Sequence, residues 1–436
     1  MINRFNESLW GDEGFSAILS MKDTLPEIIK TIVKDTSPPL WNIFEWAVFN
    51  TFGTEEIYIR GLSLIFFLGV VFFVYKIGKL VFSKKAGLLA AILTAFNPFF
   101  FIYAFEGRMY SIMALGVTAS MYFFLKRSWK WYIFWTLWAL YSHHFAMFAL
   151  LTQGLWFLWE ILFGNKKTAK AMFRAFLFVG VGYIPWVYPL YLQVSKVGGD
   201  FWLGVPTLDD LKKIFYNYLG EGTGHKYGRI ASYSSLIVLF LRKWGGAFKK
   251  SFFLLTWFTL PILATWGISQ TFQSIFFDRY LLYTIPGAML LVASNKRKLT
   301  KYIVWGIVGL YAFISYQYFT HPTKLPFRDL ATYVLETRVE GDFLINDDPG
   351  KHKLWESKYY NIPAPIYVPD SVELPFFVGT ALMTPEDIIN KIPEDVGRLG
   401  VITYKDADEL EIEGFDGVVS QKRFGDLNFV WLSNLD

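Results

Sequence analysis

The chain has 436 residues, of which 53% are hydrophobic, 20% aromatic and only 18% charged, with no cysteine and a formal net charge of +5. Soluble domains carry about 25% charged residues, so a single water-soluble globule is excluded, and the high apolar content excludes disorder. Without cysteine there is no disulfide framework, iron–sulfur cluster, thiolate zinc site or cysteine nucleophile.

The charge is unevenly spread. Residues 1–319 hold 31 Lys and Arg against 16 Asp and Glu, whereas residues 320–436 hold 11 against 21. We therefore expect an outward-facing loop with interfacial helices over 1–60, a transmembrane helical domain over 61–319 and an extracytoplasmic α/β domain over 320–436. The basic residues sit between apolar stretches, which assigns them to a membrane rather than to nucleic acid.

In chain order, the first loop carries Trp10, Gly11, Asp12, Glu13 and Gly14 directly before the apolar Phe15 to Leu19. An outward carboxylate pair at the start of a short helix suits a general base or a metal ligand. The plainer alternative is that Asp12 caps that helix. Residues 24–34 place Leu25, Ile28, Ile29, Ile32 and Val33 on one face, the pattern of an interfacial helix. Asp35 to Trp41 contains Pro38 and Pro39, which force an extended corner before the 41–52 segment.

A spanning helix needs about 20 mainly apolar residues. Stretches that qualify or nearly so lie at 61–80, 86–105, 109–125, 131–142, 144–163, 172–194, 230–242, 251–268, 279–294 and 301–319. The fourth and fifth are separated at Ser142, His143 and His144, because one unbroken helix there would be about 50 Å long. Five alternate loops hold 19 basic residues and no acid: Lys76 to Lys85, Lys126 to Lys130, Lys166 to Arg174, Arg242 to Lys250 and Lys296 to Lys301. These loops are expected in the cytoplasm. Ten spans then put both termini outside, with residues 1–60, Glu106, the 195–229 and 269–278 loops and the region after 320. No apolar span precedes residues 1–60, so either an N-terminal helix is missing or the downstream charges set the topology.

Within the outward set, Thr207 caps a second amphipathic helix, 207–219, with Asp209 and Asp210 in its first turn. Asn97-Pro98 breaks an apolar run and delivers Glu106 and Arg108 near the surface. Ionisable groups beside hydrocarbon suggest function; the alternative is a local ion pair anchoring a helix end. Arg60, the turn Tyr141 to His144, and Asp278, Arg279 and Tyr280 add outward cations or donors.

After residue 320 the period changes. Helices are expected at 327–338, 355–360 and after Thr384, which places Pro385 at a first helical position. Strands are expected at 342–346, 366–368 and 399–404, with a hairpin over 418–432 turning at Gly425-Asp426. No nucleotide fingerprint is present there.

Taken together and in this order, Asp12-Glu13, Ser37-Pro38-Pro39-Leu40-Trp41, Phe52-Gly53 with Ile59-Arg60, Asn97-Pro98 through Glu106-Gly107-Arg108-Met109-Tyr110, Tyr141-Ser142-His143-His144-Phe145 and Arg279-Tyr280-Leu281-Leu282 resemble the C-type integral-membrane glycosyltransferases of the protein O-mannosyltransferase and aminoarabinose transferase superfamily. The resemblance implies an α-helical polytopic membrane protein of about ten spans with a C-terminal soluble α/β domain. It implies transfer of a sugar from a polyprenyl-phosphate donor to a protein or glycolipid acceptor on the extracytoplasmic face, with inversion. Asp12 then matches the catalytic carboxylate and Glu106 the second acidic position, with Glu13 beside them. Arg60, Arg108, His143, Arg279 and Tyr280 are expected at the donor phosphate, and a divalent cation on Asp12 and Glu106 is compatible with the pattern. The chain departs from it in lacking the span before the acidic pair and in carrying Ser37 where some relatives have Lys or His. The rival reading is a lipid-linked sugar flippase or transporter; those often show internal repeats, and none is evident here. A non-catalytic scaffold is the third.

Overall fold

A computed structural model describes residues 2–197, 202–242, 248–295, 297–347, 353–369 and 373–434. Lys243 and Lys296, two of the expected loop cations, lie outside the described residues. The chain divides into two compact units: Met1–Thr31 with Glu45–Tyr58 and Pro322–Asp436, and Ile32–Phe44 with Ile59–His321. The N-terminal acidic segment thus groups with the C-terminal region, more than 300 residues away in sequence.

The second unit is helical. Every apolar stretch named above forms helix, but among the described residues five helices are long and apolar enough to cross a membrane: Glu56–Val81, His144–Phe163, Lys166–Lys196, Phe248–Ile268 and Lys298–Thr320. Tyr110–Leu125 and Gly228–Phe240 are apolar but shorter. The 86–105 run is two helices, Lys84–Ala95 and Pro98–Tyr103, split where the Asn97 side chain caps the second by accepting the Phe100 N–H at 3.0 Å. The break at 142–144 is a short 3-10 turn, His144–Phe148, between Trp129–Ser142 and Ala149–Phe163.

Without water as a competing solvent, helices in such a unit associate through small residues and buried hydrogen bonds. Gly116 lies so close to Ala139 that a Cβ would stand 2.8 Å from its Cα. Beside this contact the Tyr132 hydroxyl donates to Gln153 Oε1 at 2.8 Å, and Gln153 Nε2 donates to Ser120 Oγ at 3.0 Å.

The first unit contains a six-stranded mixed sheet in the order β3-β2-β1-β4-β6-β5. The strands are β1 Asp342–Asn346, β2 Ile366–Tyr367, β3 Ile388–Ile389, β4 Arg398–Thr403, β5 Gly417–Phe424 and β6 Leu427–Ser433. Strands β1 to β4 run parallel and β6 is antiparallel to β4 and β5. The period of two sends Leu344, Ile402, Phe429 and Trp431 to one face, where helix Phe327–Thr337 packs with Phe327, Leu330 and Val334. Ile345, Leu399, Val401 and Val430 line the other face.

The helix expected after Thr384 is absent. Pro385–Asp387 makes a single 3-10 turn, and Ile388–Ile389 then pairs with β2. The local signal was sound, since Asp387 reaches back to the Thr384 N–H at 2.8 Å. Edge pairing with the sheet outcompetes a helix that Pro393 would in any case have cut short.

Candidate active site

The acidic segment is built within the first unit. Helix Gly11–Ser20 begins from an extended Trp10, whose N–H is accepted by Glu13 Oε2 at 3.4 Å. Capping therefore belongs to Glu13, and the alternative of Asp12 as N-cap is corrected: Trp10 occupies that position, and half-buried Asp12 stands one residue inside the first turn. There the helix dipole favours a carboxylate. Glu13 is fully buried, with Lys324 Nζ 3.6 Å from its Oε2. The same ammonium stands 4.6 Å over the Trp10 ring.

Three carboxylates that the sequence did not single out complete this region. Glu356 is buried, and a Cβ built on Gly11 would stand 3.6 Å from both of its oxygens. Burial holds the Glu356 carboxyl above its ordinary range; Lys353, 3.5 Å away, opposes that shift and the charge of Asp12 adds to it. Glu45 joins helix Leu40–Phe52 to helix Gly11–Ser20 by accepting the hydroxyls of Ser16 at 2.7 Å and Ser20 at 2.8 Å. Glu56 accepts from Arg328 at 2.7 Å and from the Tyr360 hydroxyl at 2.6 Å. No sequence signal points to these partners, because each contact joins segments remote in the chain or lies inside an apolar helix.

The basic group is built within the second unit. Ser63, one turn beyond Arg60, donates its hydroxyl to the Glu106 carbonyl. Arg60 is fully buried on that same helix face. The turn closes as the Arg108 N–H donates to the Glu106 carbonyl at 2.8 Å, and Ser111 Oγ donates to the Tyr103 carbonyl at 2.7 Å. The Tyr110 ring then lies 5.2 Å from Tyr103, 6.2 Å from His143 and 6.4 Å from Tyr280. His143 and Tyr280 are 4.9 Å apart. The Arg279 guanidinium lies 4.7 Å over Phe277 and 5.8 Å over Tyr110. Glu106, Asp278 and Arg279 share the electrostatic surroundings of the Tyr103 hydroxyl; Arg108 and Arg279 share those of His143.

Burial, with His144, Arg108 and Arg279 adding to it, holds the His143 imidazole well below its ordinary value. Its Nδ1 accepts the Phe145 N–H at 3.1 Å, so the single proton of the neutral ring sits on Nε2, a donor. Burial raises the Asp278 carboxyl, although it accepts its neighbour's N–H at 2.7 Å. The Tyr218 hydroxyl donates to the Asp278 carbonyl, and the Tyr218 carbonyl accepts from Asn97 Nδ2 at 2.8 Å.

Glu106, Arg108, His143, Arg279 and Tyr280 are therefore brought together, with Arg60 on the helix face that meets the Glu106 turn. His144 has a packing role instead. Its Nε2 meets Gln193 Oε1 at 2.7 Å, and Gln193 Nε2 donates to the carbonyls of Ile32 at 2.8 Å and Ser37 at 3.1 Å, holding the proline corner.

Comparison with known proteins meets this architecture. The crystal structure of ArnT from Cupriavidus metallidurans bound to undecaprenyl phosphate matches with a TM-score of 0.62 at 12% identity, covering 98% of this chain and 95% of that one. The chain has the C-type membrane glycosyltransferase fold. The apo form of the same ArnT gives a TM-score of 0.59 at 12% identity over 98% and 94% of the two chains. The Archaeoglobus fulgidus oligosaccharyltransferase in complex with Zn and sulfate gives 0.52 at 10% identity, covering 91% of this chain and 64% of that one. Residues 36–188 match the family described as dolichyl-phosphate-mannose-protein mannosyltransferase. No curated protein matches the chain in sequence. These findings agree with the fold that the motifs imply.

The C-type fold leaves the cation question to the donor set. Among the described residues no three His, Asp or Glu side chains are grouped as a metal site requires. Asp12 and Glu106, the pair expected to hold a cation, belong to different units.

Proposed function

We propose that this protein transfers a sugar from a polyprenyl-phosphate-linked donor to a protein or glycolipid acceptor at the extracytoplasmic membrane face, with inversion at the anomeric carbon. The observation that carries the reading is the gathering of Arg108, Arg279, neutral His143, Tyr110 and Tyr280 from three separate chain segments. A polyprenyl donor keeps its tail in the bilayer, so its phosphate sits at headgroup depth. Span ends and outward loops are the parts of such a chain that reach it. The same reading takes ten crossings, with the five basic loops in the cytoplasm.

In this mechanism Asp12 accepts the acceptor hydroxyl's proton as that oxygen bonds to the anomeric carbon. The bond from this carbon to the phosphate oxygen breaks on the opposite face, and polyprenyl phosphate leaves with the electron pair. Negative charge grows on the phosphate. Arg108 and Arg279 receive it through planar forks that match phosphate oxygens, and the Nε2–H of His143 adds a donor. Such prepositioned groups lower a barrier by several kcal/mol. Arg60 and Tyr280 serve the donor side and Glu106 orients the acceptor. Glu13 holds the helix start that carries Asp12.

The test is reconstitution of the full chain in proteoliposomes with a radiolabelled polyprenyl-phosphate sugar and an acceptor extract. Label moving to acceptor supports transfer. Intact donor crossing the bilayer without transfer would make the protein a flippase, and neither outcome would leave a scaffold.

A further inference from the structure

Helices His144–Phe163 and Phe248–Ile268 leave an open cleft on the membrane unit, lined by Thr152, Leu155, Trp156, Trp159, Phe252 and Phe253. Its walls are apolar apart from Thr152 and Thr256; Lys249 lines its rim, and Arg127 stands just beyond it on the far side of Glu160. The Lys249 ammonium stands 4.6 Å over Trp156 and 5.6 Å over Trp159. It also meets Glu160 Oε1 at 2.7 Å, and Arg127 approaches the same oxygen at 3.9 Å. Asn165 N–H holds the other carboxylate oxygen at 3.1 Å.

One carboxylate shared by two cations leaves a net positive charge. An ammonium has three donors, and Glu160 takes one. Trp and Lys side by side mark the headgroup level of a bilayer, so apolar walls run from that level towards the hydrocarbon. Basic pockets between membrane helices recognise anionic lipid headgroups.

We propose that this cleft is a binding site for an anionic glycerophospholipid, its acyl chain between the two helices and its phosphate on Lys249 and Arg127. The site is separate from the residues assigned to sugar transfer and does not rest on that assignment. An acyl chain fits the walls because they bear no buried charge, and the net charge at the rim selects an anionic head over a zwitterionic one. The loop cations beside it, Lys166, Lys167 and Lys250, add to the same field.

Native mass spectrometry of the full-length protein, titrated with phosphatidylglycerol or phosphatidylcholine of equal chain length, tests the assignment. Wild type is expected to retain phosphatidylglycerol preferentially. The variant K249M takes the rim from net positive to neutral, with Glu160 still held by Arg127 and the Asn165 N–H. L155W fills the cleft from its lipid-exposed side with the charges intact, and should release both lipids. Loss of Lys249 should weaken phosphatidylglycerol about fivefold, the share of one cation near a membrane surface. Equal retention of the two lipids by wild type, or unchanged phosphatidylglycerol retention in L155W, would overturn the proposal. Displacement of phosphatidylglycerol from wild type by an equal concentration of undecaprenyl phosphate would overturn it in favour of the donor's tail. Sugar transfer, measured in parallel, reports on the other proposal alone.

Discussion

Gly14 lies against the backbone of Trp355: a Cβ there would stand 3.0 Å from both the Trp355 carbonyl carbon and its oxygen. The helix that carries Asp12 is thereby seated on helix Leu354–Tyr359, with Phe15 edge-on to the Trp355 ring at 5.3 Å. Backbone cannot move aside as a flexible side chain can. Gly14→Ala should therefore destabilise the first unit by about 1–3 kcal/mol, read as a lower melting temperature. Gly11→Ala is the control, because its Cβ meets the Glu356 carboxylate at an ordinary 3.6 Å and should leave melting close to wild type.

Asp12→Asn keeps the shape of the side chain and removes its basicity. Transfer should fall by about 10²- to 10⁴-fold, the usual share of a positioned general base. Donor binding and melting should stay near wild type, since Glu13 rather than Asp12 caps the helix. Wild-type turnover in this variant would remove Asp12 from the mechanism.

Arg279→Lys keeps the charge but loses the planar fork and the stacking over Phe277. Hydrogen bonds to charged groups contribute about 1.5–3 kcal/mol, so affinity for polyprenyl phosphate should weaken by roughly ten- to a hundredfold. Equilibrium binding in detergent measures this directly. A lysine variant binding as tightly as wild type would leave the guanidinium without the role given to it.

His143 has a folded-state pKa below its unfolded value of about 6.5. Between those two values the unfolded chain binds the extra proton, so stability rises with pH through that window and is lost as pH falls below about 6.5. The difference in melting temperature between wild type and His143→Gln should change with pH in that range, in the sense that acid penalises wild type more. Taking the difference removes Glu356, whose raised carboxyl acts in the opposite sense. A pH-independent difference would show that the fold does not shift the His143 imidazole from its unfolded value.

The membrane helices and the strands were legible because their signals are local. Asp342–Asn346 is a short run of strand-forming Phe343, Leu344 and Ile345, and Pro98 stops one helix and starts another, whatever surrounds them. The turn after Thr384 was misread for the complementary reason: its cap is local, but the edge of the sheet that claims Ile388 is not. Arg60, Arg108 and Arg279 were legible as charges stranded beside apolar runs. Their aromatic setting was not, since Tyr103, Tyr110 and Phe277 are ordinary residues of an aromatic-rich chain until the fold stacks them.

By itself the amino-acid order determined that this is a helical membrane protein with a mixed α/β region at its end, and it marked Asp12, Glu106, Arg108, His143 and Arg279 as chemically unusual. Hydropathy and backbone propensity act over a few residues, so they survive in the one-dimensional record. Only the tertiary structure decided that Glu13 caps while Asp12 does not, that Glu356 and Lys324 attend the first helix, and that residues 1–31 group with 322–436. Apart from the Glu13 cap, those are contacts across more than 300 residues, set by packing and burial, which no local pattern encodes.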